Sequence, residues 1–250
     1  MPAVLVLGAG RPGIGQAVTK RFLEDGFEVY GTIDNEYAKE VEQFSFGETD
    51  SRLKLKQLDH SDLTVVTSYI NELPEELSGI VVAEFYFAME DPDDFKLDVW
   101  NKSLAINLTL PKVVYHSARS KVINGGFLTI VTSTEGFIGS FGAHAYAATK
   151  AGVHNLVKSI ANIASGSIRA NAVAAGWIGG VMDTDEVFNM SRRITPLARL
   201  GDAAEVAGVV AFLASRDAQF VNGSTIVADG GYSGVDTIAK FEFQSEYPGK

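Results

Sequence analysis

Tyr146 and Lys150 stand four positions apart in "GAHAYAATKAGV", among alanines and glycines. On a helix, positions i and i+4 share a face, with Cβ atoms roughly 5–6 Å apart. An ammonium held there would favour phenolate and lower the tyrosine pKa from its ordinary value of about 10. A phenol tuned in this way can give a proton to, or take one from, an oxygen whose charge changes during reaction. Alone, Tyr-x-x-x-Lys also describes an ordinary helix with one exposed lysine, so the surrounding chain must supply the context.

Short β-rich runs alternate with helical segments. Strands are expected at 3–7, 28–32, 53–57, 79–83, 127–132, 168–174 and 224–228. Helices are expected near 14–25, 62–73, 95–121, 144–165, 183–191 and 202–214. The gaps are long enough for crossovers between parallel strands. The pattern therefore implies an α/β chain, a Rossmann-type doubly wound parallel sheet of about seven strands with helices on both faces. One domain is expected over 1–234, followed by a C-terminal extension at 235–250. Ligands of such sheets bind beyond the carboxyl ends of the strands.

Directly after the first strand comes Gly8-Ala9-Gly10-Arg11-Pro12-Gly13-Ile14-Gly15, then a helix. Glycines let the backbone turn sharply and approach a pyrophosphate, and the helix N-terminus presents free N–H groups. The second strand ends in "YGTIDNE", with Asp34 19 residues beyond Gly15, near the separation at which a carboxylate meets an adenosine ribose. That favours NAD(H). Arg11, a basic residue in the turn, suits a 2′-phosphate and keeps NADP(H) open.

With these residues in order the chain resembles the short-chain dehydrogenase/reductase family from about residue 3 to 233. The matching features are the glycine turn, Asp59, Asn107 in "LAINLT", Ser133 in "IVTSTEGFIGS" and Tyr146-Ala-Ala-Thr-Lys150. They continue through "NAVAAGWIGG", "PLARLGDAAEVAGVVAFLAS" and "NGSTIVADGGYSG". The resemblance implies catalytic roles for Asn107, Ser133, Tyr146 and Lys150. Tyr146 would exchange the proton, Ser133 would hold the same substrate oxygen, and Lys150 would tune Tyr146 and hold the nicotinamide ribose. Asn107 would fix a helix irregularity and a water chain. It also implies a cofactor surface of Gly8, Arg11, Gly13, Ile14, Gly15, Asp34, Asp59, Ala83, Tyr146, Lys150, Gly176 and Ile178.

Three departures stand out. Leu7 replaces the usual Thr, and the glycine turn holds one extra residue, with Pro12 inside it. Ala83-Glu84-Phe85-Tyr86 stands where Asn-Asn-Ala-Gly usually follows the fourth strand, which implies an altered cofactor rim. Ala175-Gly176 replaces Pro-Gly, and Gly180 aligns with a Thr that often touches the cofactor.

The segment from Val181 to Ile194 is the expected lid. Ser133, Phe137, His144, Tyr146, Trp177 and Met182 are the expected substrate contacts, with Phe141 and Phe188 as further apolar walls, suited to a hydrophobic or aromatic ketone or secondary alcohol. Related proteins pair their long helices, so a homodimer or homotetramer is expected. Phe241, Phe243 and Tyr247 suggest a strand-like arm, or else a disordered tail.

Composition narrows the remaining classes. Net charge is −10, which gives nucleic acid or an anionic membrane little to bind. There is no cysteine, and four histidines without ligand spacing make a metal site unexpected. No apolar run reaches membrane-spanning length, and a soluble cytoplasmic protein is expected. A catalytically idle dinucleotide-binding sensor is the rival reading. Epimerisation, dehydration and dehalogenation are further uses of the scaffold, and Lys150 argues against the last.

Overall fold

A computed structural model describes residues 1–38, 50–180 and 184–247. Seven parallel strands form one sheet in the order β3-β2-β1-β4-β5-β6-β7. They are β1 (Ala3–Leu7), β2 (Glu28–Asp34), β3 (Leu53–Leu58), β4 (Leu77–Val82), β5 (Val122–Ser133), β6 (Ile168–Ala175) and β7 (Thr225–Ala228). Strand order reverses between β1 and β4, which pair from Val4 with Gly79 to Leu7 with Val82. The doubly wound single sheet expected from the sequence is the fold observed.

Strands covered on both faces read as continuous apolar runs, and β1 and β6 are buried throughout. Side chains alternate across the sheet. Leu5, Leu7, Leu128 and Ile130 pack with α2 (Leu63–Glu72), α4 (Leu110–Ala118) and α5 (His144–Ile163) on one face. Val4, Val6, Val131 and Val173 pack with α1 (Ile14–Glu24) and α7 (Ala203–Ala214) on the other.

The long helix expected over 95–121 is divided. α3 (Leu97–Ser103) passes into a π-helical turn (Leu104–Thr109) before α4 begins. Pro111 lies in the first turn of α4. It has no N–H to give the Asn107 carbonyl four residues back. The Asn107 side chain is held from outside the helix: its Oδ1 accepts from Tyr86 N–H at 2.8 Å, and its Nδ2 donates to Tyr86 O at 2.9 Å. Such π turns are frequent at functional sites.

The tail is also different from the sequence expectation. Instead of a strand-like arm, Thr237–Glu246 forms a helix, α8. Asp236 caps it, accepting from the N–H groups of Ile238 and Ala239 at 3.0 and 3.1 Å. Helical winding makes Phe243 and Tyr247 neighbours, with ring centroids 4.9 Å apart. Lys240 Nζ donates to Thr195 O at 3.0 Å, tying α8 to the end of α6 (Asp185–Ile194). Most of the expected lid is α6, and Val181, Met182 and Asp183 lie outside the described residues.

Candidate active site

Two cavities open beside the reversal of strand order. The larger, a chamber of about 380 Å³, lies between the glycine turn, the end of β5 and the start of α5. β5 delivers Ser133 at its last residue, and α5 delivers Tyr146 and Lys150 from its first two turns. Ser133 Oγ accepts Glu135 N–H at 3.2 Å, which fixes the hydroxyl, and it lies close enough to the Tyr146 phenol to favour its charged form. Ser133 and Tyr146 therefore converge on one spot.

Lys150 is buried behind them, 2% exposed. Its Nζ lies 3.5 Å from Val131 O, 5.3 Å from the Tyr146 ring centre and 5.7 Å from that of Phe85. Burial, with Arg11 nearby, lowers the Lys150 pKa to about 7. Burial also raises the Tyr146 phenol to about 12, against a lowering contribution from the Ser133 hydrogen bond. The depressed phenol pKa expected from the sequence is thus not what the free chamber produces. Removal from water disfavours both charged forms, so the phenol is held protonated and the amine titrates near neutrality. Asn107 does not line the chamber. It anchors the backbone of Tyr86 and donates to Thr149 Oγ1 at 3.2 Å, one residue before Lys150.

The remaining expected contacts divide. Trp177, Gly176, Ile178, Arg11, Gly13 and Ile14 line the chamber. Phe137 is 52% exposed and packs instead on His154, with ring centres 4.2 Å apart. His144, at the first position of α5, is exposed outside the chamber, and Phe141 is 99% exposed. Sequence reasoning missed Phe85 and Phe87, whose rings sit 6.4 and 5.2 Å from that of Tyr146. Bulky residues in place of a small-residue motif were the available signal. It also missed Glu135, whose Oε2 is buried with no hydrogen-bond partner.

The smaller cavity, about 60 Å³, is lined by Asp34, Glu36, Asp59, His60 and Glu84 among others. Asp34 Oδ2 accepts His60 N–H at 2.8 Å. Asp59 Oδ1 accepts from Ser61 N and Oγ at 2.8 and 2.6 Å. Buried His60 bridges Glu84 and Thr32, with Nδ1 2.8 Å from Glu84 Oε2 and Nε2 2.8 Å from Thr32 Oγ1. Thr32 Oγ1 also accepts from Gly8 N–H at 3.2 Å. Burial pushes the Glu84 carboxyl up, but His60 and Arg11 outweigh it and hold it below its usual range. Ala83 is 2% exposed and lines neither cavity.

The glycine turn has the form of a phosphate cradle. Gly8 and Gly13 have φ of 77° and 84°, the left-handed region. A Cβ on Gly15 would come within 2.0 Å of Gly8 O. No side chain caps α1 at Gly13, and Gly13 and Ile14 line the chamber. These residues fit the phosphate and nicotinamide end of a dinucleotide. A 60 Å³ pocket lies far below the roughly 300–1,000 Å³ of ligand sites.

Comparison with known proteins agrees with this geometry. A family profile described as enoyl-(acyl carrier protein) reductase matches residues 8–233. The chain is 32% identical to the 3-oxoacyl-[acyl-carrier-protein] reductase of Vibrio harveyi, across 91% of this chain and 95% of that one. It is 29% identical to the human (3R)-3-hydroxyacyl-CoA dehydrogenase, across 91% and 94%. A solved structure of BdcA in complex with NADPH superposes with a TM-score of 0.83 at 26% identity, covering 92% of this chain and 94% of that one. Sheet order and relatives together make the chain a member of the short-chain dehydrogenase/reductase family, an oxidoreductase acting on CH–OH groups.

Proposed function

We propose that the protein interconverts a ketone and a secondary alcohol of apolar or aromatic character, with Tyr146 as the general acid/base. The observation that carries this reading is that Ser133, Tyr146 and Lys150 line one chamber whose other walls include Phe85, Phe87, Trp177 and Ile178. Gly13, Ile14, Lys150, Gly176 and Ile178 would hold the nicotinamide end of the cofactor. Bound NAD(P)H would supply the hydride.

The chain's own residues handle the oxygen. Ser133 orients the carbonyl, and Tyr146 gives its proton to the oxygen as negative charge develops there. Lys150, titrating near 7, exchanges protons behind the phenol at neutral pH. A phenol held near 12 is in its acid form at neutrality, so ketone reduction finds its proton donor ready. Alcohol oxidation needs the phenolate and gains rate as pH rises. Asp34, Glu36 and Asp59 around the small cavity disfavour a 2′-phosphate and support NAD(H).

Assembly into a homodimer or homotetramer belongs to the same proposal. α5 leaves Ala148, Ala151, Asn155 and Ser159 exposed along one face, small enough for close helix approach. Function is tested by turnover of a bulky aryl ketone against a small keto acid, with NADH and with NADPH. Faster reduction of the aryl ketone with NADH is expected; preference for the keto acid overturns the substrate class.

A further inference from the structure

One wall separates the two cavities. Arg11, Tyr37 and Phe85 line both. The Arg11 guanidinium lies between two rings, 3.7 Å from the Phe85 centre and 4.4 Å from that of Tyr37. Its Nη1 donates to Phe85 O at 2.7 Å and pairs with Glu84 Oε1. Glu84 is 3% exposed and Arg11 9%. Beneath them, the chain of contacts from Glu84 through His60 and Thr32 ends on Gly8 N–H, within the turn that carries Arg11. Arg11 is thus held by a buried anion and by two aromatic rings packed against its guanidinium.

A dinucleotide lying across the strand-order reversal must pass from the large chamber into the small pocket. The guanidinium stands in that path. We infer that Arg11 is a latch on the cofactor groove: the Arg11–Glu84 pair must open before the adenosine half of a dinucleotide can seat, while the nicotinamide half finds its chamber already formed. Releasing Arg11 need not leave Glu84 without a partner, because His60 Nδ1 keeps its contact with Oε2. The freed guanidinium then faces the phosphates of the entering ligand, an anion replacing the one it left. When the binding-competent state is a small fraction of the population, apparent affinity falls by that fraction. The latch rests on the dinucleotide reading above, and its test separates the two.

The test is stopped-flow binding, followed by energy transfer from protein tryptophan to the reduced nicotinamide. NADH is compared with reduced nicotinamide mononucleotide, which lacks the adenosine half. With wild-type protein, the observed NADH rate is expected to level off at high concentration, whereas the mononucleotide rate stays linear. Glu84→Gln keeps the shape and removes the anchor. It should raise the NADH association rate about tenfold or more and leave the mononucleotide unchanged. Tyr37→Ala opens the same wall without disturbing the buried pair and should move the NADH rate in the same direction. Lys102→Ala removes one charge from the same pocket but touches neither Arg11 nor Glu84, and should change the rate far less. The latch is overturned if Glu84→Gln leaves NADH association unchanged, if both ligands speed up equally, or if Lys102→Ala matches Glu84→Gln. If neither ligand binds any form, the cofactor reading fails as well.

Discussion

The chamber and the small pocket sit side by side at the carboxyl edge of one sheet, and they treat their ionisable groups in opposite ways. In the chamber, Lys150 and Tyr146 are taken out of water without a counter-ion and shift toward their neutral forms, to about 7 and about 12. In the pocket, Glu84 is just as deeply buried, yet His60 and Arg11 hold it charged. Unpaired burial leaves a group ready to exchange a proton. Paired burial fixes a charge in place and makes it part of the fold. The chamber is built for reactivity, and the pocket for position.

The largest separation between the two should come from Tyr146→Phe. Losing the phenol proton should lower kcat for ketone reduction by roughly 10²–10⁴-fold, while the urea midpoint of unfolding stays close to wild type. Steady-state kinetics beside an unfolding titration check this. A large loss of stability would instead make Tyr146 a structural residue.

Glu84→Ala should do the reverse within the pocket. It strands the Arg11 guanidinium between two rings and leaves His60 facing a void, a loss of about 3–5 kcal/mol for breaking a buried pair. Glu135→Gln in the chamber removes a carboxylate that pairs with nothing and should shift stability by under about 1 kcal/mol. Urea unfolding of both variants reads the contrast directly. Equal losses would erase it.

Lys150→Met sharpens the comparison through pH. In the unfolded chain the lysine has its ordinary pKa of about 10.4, whereas in the fold it titrates near 7. Between those values the unfolded chain binds a proton that the folded chain has released. The penalty on folding is therefore complete below pH 7, falls as pH rises from 7, and is gone above the ordinary lysine pKa of about 10.4. Replacing Lys150 by Met should stabilise the protein at pH 7 by on the order of 2 kcal/mol while abolishing turnover. The advantage should vanish by about pH 10.5.

Much of this site was legible from the sequence because its pieces are local. Tyr146 and Lys150 lie within one helix, Ser133 closes a strand whose apolar run is continuous, and the glycine turn follows β1 directly. Parallel strands buried on both faces announce themselves in the same way. What stayed hidden depends on distant partners. Glu84 reads as an exposed charge in a divergent motif. Its burial is possible only because Arg11 and His60, 73 and 24 residues earlier, arrive against it. Phe137 and His144 lie near Ser133 and Tyr146 in sequence, but the turn between β5 and α5 carries them outward. The aromatic spacing in the tail fits a strand or a helix equally, and the Asp236 cap decides for the helix.

The smallest predicted effect concerns the rim of the pocket, where Lys102 and Glu36 approach at 3.7 Å and are 44% and 58% exposed. Lys102 Nζ also lies 4.5 Å from the Tyr86 ring centre, and both residues line the cavity. If any ion pair at this pocket held it shut, Lys102→Ala would act like Glu84→Gln. Physical reasoning says otherwise, because an exposed pair is screened by water and salt and contributes about 0–1 kcal/mol. Lys102→Ala should therefore change stability by less than about 1 kcal/mol and leave the NADH association rate within about twofold of wild type. A larger acceleration would move the barrier from the buried Arg11–Glu84 pair to the pocket's surface, and the contrast between paired and unpaired burial would lose its bearing on cofactor entry.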